Sequence, residues 1–411
     1  MRRALLAALV TLAAVVLLPT RPAAAAALTE VTGFGTNPTG LRMHLYVPDN
    51  RPADPALLVA VHYCTGSGPA FFSGTEFRSL ADQYGFIVIY PSTVRNGNCY
   101  DVSSPGALTH DSTSDPAGIV SMVRWVQQNY GTDAGRTFVT GASSGAMMTN
   151  VLLGDYPDVF AAGSAFMGVP FGCFAATAGD PTDPANQAGW NSTCSSGQLI
   201  KTPAAWGDLV RAAYPGYTGK RPRMQVFHGA TDTVLAYPNL GEEIKQWTDV
   251  LGVSQTPVAT DTPQAGWTRT RYGTNTVQAP VEAISVAGVG HSLPLTGMAK
   301  MAISFFGLDS GGTTTPPPTG ACTATISLNS WTGGFVATVK VTAGSSALTG
   351  WTVGLTLPSG SAVTSTWNAV ATGSTFRNAT YNGQVPAGGS TEFGFQGTGT
   401  GPTATPTCQA S

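Results

Sequence analysis

The sequence predicts an α/β protein with a doubly wound sheet over residues 28–308 and a separate all-β sandwich over residues 322–411. Three observations predict it. Residues 57–61 (LLVAV) and 86–90 (FIVIY) are continuous apolar runs of the length and β-branched composition of strands buried on both faces. Such runs alternate with helix-type patterns such as residues 119–130, which gives a βαβ order. Beyond residue 321 the texture changes: no helix-type pattern remains, and residues 335–341 (FVATVKV) place Phe335, Ala337, Val339 and Val341 on one face of a strand.

The elements follow in order. Arg2 and Arg3, the apolar residues 4–18 and the alanines at 23–27 form an export signal, so residues 1–27 are expected to be removed and the protein secreted. The apolar stretch is too short to span a bilayer. After the first two strands, residues 119–130 form a helix with Pro116 near its start, and residues 137–140 (TFVT) a short strand. A glycine-rich turn follows, then a helix over 146–153. Residues 224–227 and 281–286 are later strands. Residues 309–321, rich in Gly, Thr and Pro with almost nothing to bury, are a linker of extended, semi-rigid character. In the last segment, turn clusters at 344–346, 358–360 and 386–389 recur at sandwich-like spacing, and Lys340, Arg377 and Glu392 are the only charges.

Charge and cysteine usage narrow the function. Removing residues 1–27 takes away three arginines and no acid, which moves the net charge from −2 to −5. That argues against nucleic acid or an anionic membrane as partner, and suits a neutral substrate such as polysaccharide. Six cysteines in an exported chain imply disulfides. Cys322 and Cys408 bracket the final segment and are expected to clasp it. For the others, Cys64–Cys99 and Cys173–Cys194 is the simplest pairing. With no CxxC and five scattered histidines, neither a metal site nor a cofactor is expected. Asn191-Ser-Thr and Asn378-Ala-Thr fit the glycan-acceptor pattern.

The chemistry centres on Gly141-Ala142-Ser143-Ser144-Gly145. Among 50 glycines such a pentapeptide is weak evidence alone, but it stands between a strand and a helix, where a nucleophile elbow belongs. A serine hydroxyl needs a base within hydrogen-bond reach and a carboxylate to orient that base. In the α/β-hydrolase arrangement the chain order is serine, acid, histidine. His291, in a glycine-rich loop just past a strand, is the candidate base. His44, His62 and His110 precede Ser143, and His228 at a strand end is expected to be structural. Asp232, on the loop after the 224–227 strand, is the candidate acid. Asp155, Asp158, Asp180 and Asp183 come too early, and Asp249 falls on a solvated helix face. The oxyanion needs two backbone donors. The Ser144 amide is one, and the loop over residues 62–68 should supply the other.

The runs His62-Tyr-Cys-Thr-Gly-Ser-Gly, Thr140-Gly-Ala-Ser-Ser-Gly-Ala-Met-Met, His228-Gly-x-x-Asp232 and Gly290-His291 resemble the acetylxylan esterases of carbohydrate esterase family one, related to feruloyl esterases and polyhydroxybutyrate depolymerases. The resemblance covers nearly all of residues 28–308. It implies a Ser143–His291–Asp232 triad, the Cys64 and Ser144 amides as oxyanion hole, and Trp190 lining the substrate groove; a structural tryptophan beside a disulfide is the other reading of Trp190. Residues 322–408 resemble cellulose-binding modules of carbohydrate-binding family two through the flanking cysteines, Asn329-Ser-Trp331, Gly350-Trp351, Trp367-Asn and Tyr381-Asn-Gly383. That resemblance assigns the sugar-stacking face to Trp331, Trp367 and Tyr381, with Trp351 in the core. Tyr381 stands where tryptophan is typical, and its smaller ring should weaken binding. The other reading is that all these aromatics are core.

The expectation is a secreted, monomeric serine esterase. It deacetylates xylan through an acyl-enzyme and is held on a cellulose or xylan surface by its sandwich. A feruloyl esterase and a polyester depolymerase share the same machinery and stay open. So does a non-catalytic carbohydrate-binding protein, which covalent labelling by a fluorophosphonate would separate.

Overall fold

The computed structural model describes residues 26–175, 190–309, 322–344, 346–386, 389–402 and 406–410. Most of residues 1–27 (the expected export signal) and of residues 309–321 (the expected linker), and Asp180 and Asp183, lie outside these residues. The chain divides into two units, residues 1–312 and 313–411.

In the first unit, strands β1 (Thr29–Val31), β2 (Arg42–Tyr46) and β3 (Leu57–Val61) lead to helices α1 (Gly68–Gly74) and α2 (Phe77–Tyr84). Then come β4 (Ile87–Ser92), α3 (Asp115–Tyr130), β5 (Thr137–Ala142), α4 (Ser144–Asp155), β6 (Ala162–Phe166), and the short α5 (Ser192–Ser195) and α6 (Pro203–Ala213). Strand β7 (Arg223–Gly229), α7 (Pro238–Val250), β8 (Ala259–Asp261), β9 (Trp267–Tyr272), β10 (Val281–Val286) and α8 (Met298–Phe306) complete it. The helix ends follow local chemistry. Pro116 sits in the first turn of α3 and left-handed Gly131 ends it, while the Thr202 side chain caps α6 by accepting from the Ala205 amide.

These strands form one ten-stranded sheet in the order β1-β2-β4-β3-β5-β6-β7-β10-β9-β8. Its centre, β4 to β10, is parallel, as the apolar runs require. Both margins are antiparallel. Because side chains alternate along a strand, each strand feeds two cores. Val59, Val139, Val226 and Ala283 pack in one cluster with residues of α3, α4, α6 and α7. Leu58, Phe138, Phe227 and Ile284 pack in the other with residues of α1, α2 and α8. The parallel strands thus all end at one rim, where the loops after β3, β5, β7 and β10 meet.

The second unit contains only strands among its described residues: β11 (Cys322–Trp331), β12 (Gly334–Ala343), β13 (Trp351–Gly354), β14 (Ala362–Trp367), β15 (Ala369–Thr372), β16 (Thr375–Asn378), β17 (Ser390–Thr398) and β18 (Thr407–Ala410). They pair as two four-stranded sheets, β11-β12-β17-β14 and β15-β16-β13-β18. Between them lie Phe335, Val339, Trp351, Phe376, Phe393 and Phe395. Trp351 stacks on Phe393 and donates its indole N–H to Asn382 O at 2.9 Å, which satisfies the one polar atom it buries.

Three disulfides join Cys64 to Cys99, Cys173 to Cys194 and Cys322 to Cys408. No helix among the described residues is long and apolar enough to cross a membrane.

Candidate active site

Strand β5 delivers Ser143 to the rim on a strained turn. Its backbone stands at φ 55°, ψ −117°, a region that costs a non-glycine residue about 1–3 kcal/mol and persists only where the surroundings enforce it. They do so by close packing. A Cβ on Gly141 would lie 2.3 Å from Gly145 O, and one on Gly145 only 2.1 Å from Val61 O. Both glycines are therefore required by contact distance, and they bring α4 against the end of β3. The Ser143 amide donates to Phe166 O at 3.0 Å, tying the turn to β6.

Asp232 and His291 reach the same place from β7 and β10. Gly229 ends β7, where a Cβ would lie 2.3 Å from Val289 O. The loop carrying His291 thus crosses directly over the start of the loop carrying Asp232, and the Thr231 amide donates to Val289 O at 2.9 Å. The result is a continuous hydrogen-bonded array: His291 Nδ1 lies 2.7 Å from Asp232 Oδ2, and His291 Nε2 lies 2.8 Å from Ser143 Oγ. The other oxygen, Asp232 Oδ1, accepts from the Val234 and Leu235 amides at 2.9 and 3.0 Å. Burial alone would raise the Asp232 pKa. The hydrogen bonds and charge of His228 and His291 outweigh it and hold the carboxyl well below the usual carboxylate range, so it stays ionised beside His291.

The remaining histidines are placed otherwise. His228 is fully buried, donates Nε2–H to Leu235 O at 2.7 Å, and sits 3.5 Å from Asp232 Oδ2. His62 is buried too, which pushes its pKa down to about 4. His44 lies buried at Tyr90 O, and His110 stacks on Tyr214. Asp155 is buried at the end of α4. Asp249 lies part-exposed near the end of α7, where its Oδ2 accepts from Arg211 Nη2 at 2.7 Å in a surface ion pair with α6.

Ser144 opens α4, so its amide is among the first-turn donors that the helix leaves unpaired, at the positive end of the helix dipole. Cys64, in the loop after β3, is fixed to Cys99, and left-handed Thr65 beside it donates its amide to Gly97 O at 2.7 Å. Cys64, Ser143 and Ser144 line one small cavity of about 40 Å³. Trp190 stands at this cavity, 59% exposed, with its ring edge-on to Phe174 at 5.5 Å, so it is not a core tryptophan.

Several lining residues escaped the sequence reading: Tyr100, Val102, Met147, Phe174 and Leu235. The Tyr100 amide donates to Ser144 Oγ at 2.8 Å, which couples the loop bearing Cys99 to α4. Cys99 was the one signal that could have found it. Met167, left-handed after β6, accepts the Ser292 amide at Sδ (3.3 Å) and steadies the His291 loop. Among the described residues, no group of three or more His, Cys, Asp or Glu side chains could hold a metal ion.

In the second unit, Trp331 and Trp367 are about half exposed and Tyr381 is more so, whereas Trp351 is buried. Each exposed tryptophan lies over a glycine of the neighbouring strand, Trp331 over Gly334 and Trp367 over Gly394. A side chain there would meet the ring at 2.9 or 2.2 Å, so the glycines let the indoles lie flat on the sheet. The Tyr381 hydroxyl donates to Asn368 Oδ1 at 2.8 Å. Both glycan-acceptor asparagines are engaged: Asn191 Oδ1 accepts from the Cys194 amide and Asn378 Oδ1 from the Trp351 amide.

Residues 41–272 match the family described as Esterase PHB depolymerase, and residues 322–410 match the Cellulose binding domain. The chain is 46% identical over 287 residues to Feruloyl esterase B of Talaromyces stipitatus, covering 70% of this chain and 77% of that one. It is also 46% identical over 288 residues to Probable acetylxylan esterase A of Aspergillus fumigatus, covering 69% and 74%. The solved acetyl xylan esterase from Aspergillus awamori superimposes with a TM-score of 0.63 at 42% identity, covering 69% of this chain and 99% of that one. Fold and relatives together define a carboxylic ester hydrolase. The chain belongs to the Esterase PHB depolymerase family and carries a cellulose-binding domain at its carboxyl end.

Proposed function

We propose that this protein is a secreted serine esterase that removes acetyl groups from xylan, acting as a monomer held on cellulose or xylan by its carboxyl-terminal module. The observation that carries the mechanism is the unbroken Asp232–His291–Ser143 array, with both contacts of the imidazole under 3 Å. Ser143 Oγ attacks the ester carbonyl carbon while His291 Nε2 takes its proton. The tetrahedral oxyanion is held by the Cys64 and Ser144 amides. On collapse, the sugar oxygen leaves with the proton from His291, and acetyl stays on Ser143. Water then attacks with His291 again as base, and the second collapse returns the proton to Ser143 and releases acetate. Asp232 stays ionised throughout, fixes the Nδ1–H tautomer and stabilises the imidazolium.

The cavity supports a small acyl group. About 40 Å³ beside Ser143 is far below the roughly 300–1,000 Å³ of pockets for drug-sized ligands, and suits acetyl better than a phenolic acyl group. Trp190 at the rim offers a flat apolar face to a xylose ring. Export is supported by the amino-terminal signal pattern and by three disulfides with no free cysteine among the described residues. The flat, exposed Trp331, Trp367 and Tyr381 suit pyranose faces of a polysaccharide surface.

The test compares acetate and ferulate release from one batch of native xylan by the wild type and by Ser143→Ala. Acetate release that disappears in the variant is expected. Ferulate as the main product would replace the acetyl reading, and full activity in Ser143→Ala would end the serine mechanism.

A further inference from the structure

The rim of the sheet opposite Ser143 carries a groove that the esterase chemistry does not use. It opens at the amino ends of β7 and β10, beside the last turn of α7, with a volume of about 840 Å³. Strand β7 is seven residues long, so at about 3.3 Å per residue the groove lies roughly 20 Å from the catalytic rim.

Its charge is one-sided. Lys220, Arg221 and Arg223 line it, and no carboxylate does. None of the three has an Asp or Glu within ion-pair distance among the described residues, and unlike other unpaired cations such as Arg51 or Lys300 they converge on one groove. Both arginines are half-buried and held in place. The Arg221 guanidinium lies over the Tyr217 ring at 5.1 Å. Arg223 lies over Phe305 at 4.6 Å and donates from Nη1 to Phe305 O at 2.7 Å. Burial pushes the Arg223 pKa down to about 10 and lowers that of Arg221, the mark of cations lacking a counter-charge. Three neighbouring cations in a chain of net charge −2 are an electrostatic cost that a bound anion would remove.

The rest of the lining describes that anion further. Val250, Leu251, Val277 and Pro280 give an apolar wall, with Val277 half exposed, and the hydroxyls of Thr274 and Thr276 face each other at 3.1 Å. Apolar wall, hydroxyls and rigid guanidinium groups together suit a sugar ring bearing a carboxylate, since a planar guanidinium matches a carboxylate in bidentate fashion. We propose that this groove is a carbohydrate-binding site for uronic-acid residues on cell-wall polysaccharide, separate from the catalytic rim and from the cellulose-binding module. The inference rests on the polysaccharide reading of the esterase. It adds that the enzyme prefers acidic regions of its substrate.

The test is calorimetric titration of the full-length protein with a glucuronic-acid-bearing xylo-oligosaccharide and with the same compound after carboxyl reduction. The acidic ligand should bind about tenfold more tightly, and the preference should weaken as salt rises. Lys220→Gln/Arg221→Gln should abolish the preference with its thermal unfolding midpoint unchanged. Should the double variant unfold early, the exposed Lys220→Gln alone should lower the preference severalfold. Equal binding of the two ligands by the wild type, or a preference that survives either variant, overturns the proposal. Acetate release from neutral acetylated xylan, measured alongside, reports on the esterase reading alone.

Discussion

Replacing Asp232 by Asn isolates what the carboxylate does, because its two oxygens have different partners. Oδ1 accepts from the Val234 and Leu235 amides, so the amide oxygen of an introduced asparagine must take that position. Its NH₂ then points at His291 Nδ1, where the wild type has an acceptor at 2.7 Å. Two N–H groups cannot face each other, so the imidazole must move its proton to Nε2. That proton would sit against Ser143 Oγ, 2.8 Å away, and the nitrogen could no longer accept one. The same exchange of tautomers in a serine protease costs about 10⁴ in kcat, which at about 1.36 kcal/mol per decade is roughly 5.4 kcal/mol of transition-state stabilisation. The assay is kcat for acetate release at pH 7, with circular dichroism to show that the fold persists. A well-folded Asp232→Asn enzyme within about tenfold of wild type would refute the reasoning.

Three further outcomes follow from the geometry. Cys64→Ser/Cys99→Ser opens a link across 35 residues, which the chain-entropy model values at about 4 kcal/mol; guanidinium unfolding should show a loss of that order, together with reduced kcat as the Cys64 amide loses its fixed position. An unchanged midpoint would count against it. Burial raises Glu243 to about 7 from an ordinary value of 4.5, so its contribution to stability is full below pH 4.5 and is lost as pH rises through 7. Wild type should therefore lose on the order of 3 kcal/mol relative to Glu243→Gln between pH 4.5 and 8, and urea unfolding at the two pH values checks this. Trp331→Ala or Trp367→Ala should each weaken binding to cellulose about tenfold or more, since the exposed half of an indole offers roughly 100 Å² at about 25 cal/mol per Å²; undiminished binding in pull-down isotherms would remove these rings from the binding face.

The parallel centre of the sheet was legible because strands buried on both faces must be apolar throughout: β3 and β10 coincide with their sequence runs to the residue. The antiparallel margins were not. Strand β9 reads Trp-Thr-Arg-Thr-Arg-Tyr, and its charges look like a loop until Arg269 meets Asp261 and Arg271 meets Glu282 across the pairing. Strand order cannot be read from local pattern, because it depends on which crossovers the helices take. The Ser143, Asp232 and His291 positions could be read because each follows a strand and each has a glycine within three residues. The pocket walls could not: Tyr100 and Phe174 arrive on long loops whose course is set by disulfides. The ion pair of Asp249 could not be read either, because its partner, Arg211, belongs to another helix.

The clasp between Cys322 and Cys408 has a use in protein engineering. It holds the two Cα atoms 5.7 Å apart, so the cellulose-binding domain enters and leaves its fold at almost a single point. A fold with adjoining termini can be spliced into a surface loop of an unrelated host without prising that loop open. Such a graft would convert a freely diffusing enzyme into one that partitions onto plant fibre, with the crosslink guarding the insert against being pulled apart by its new surroundings.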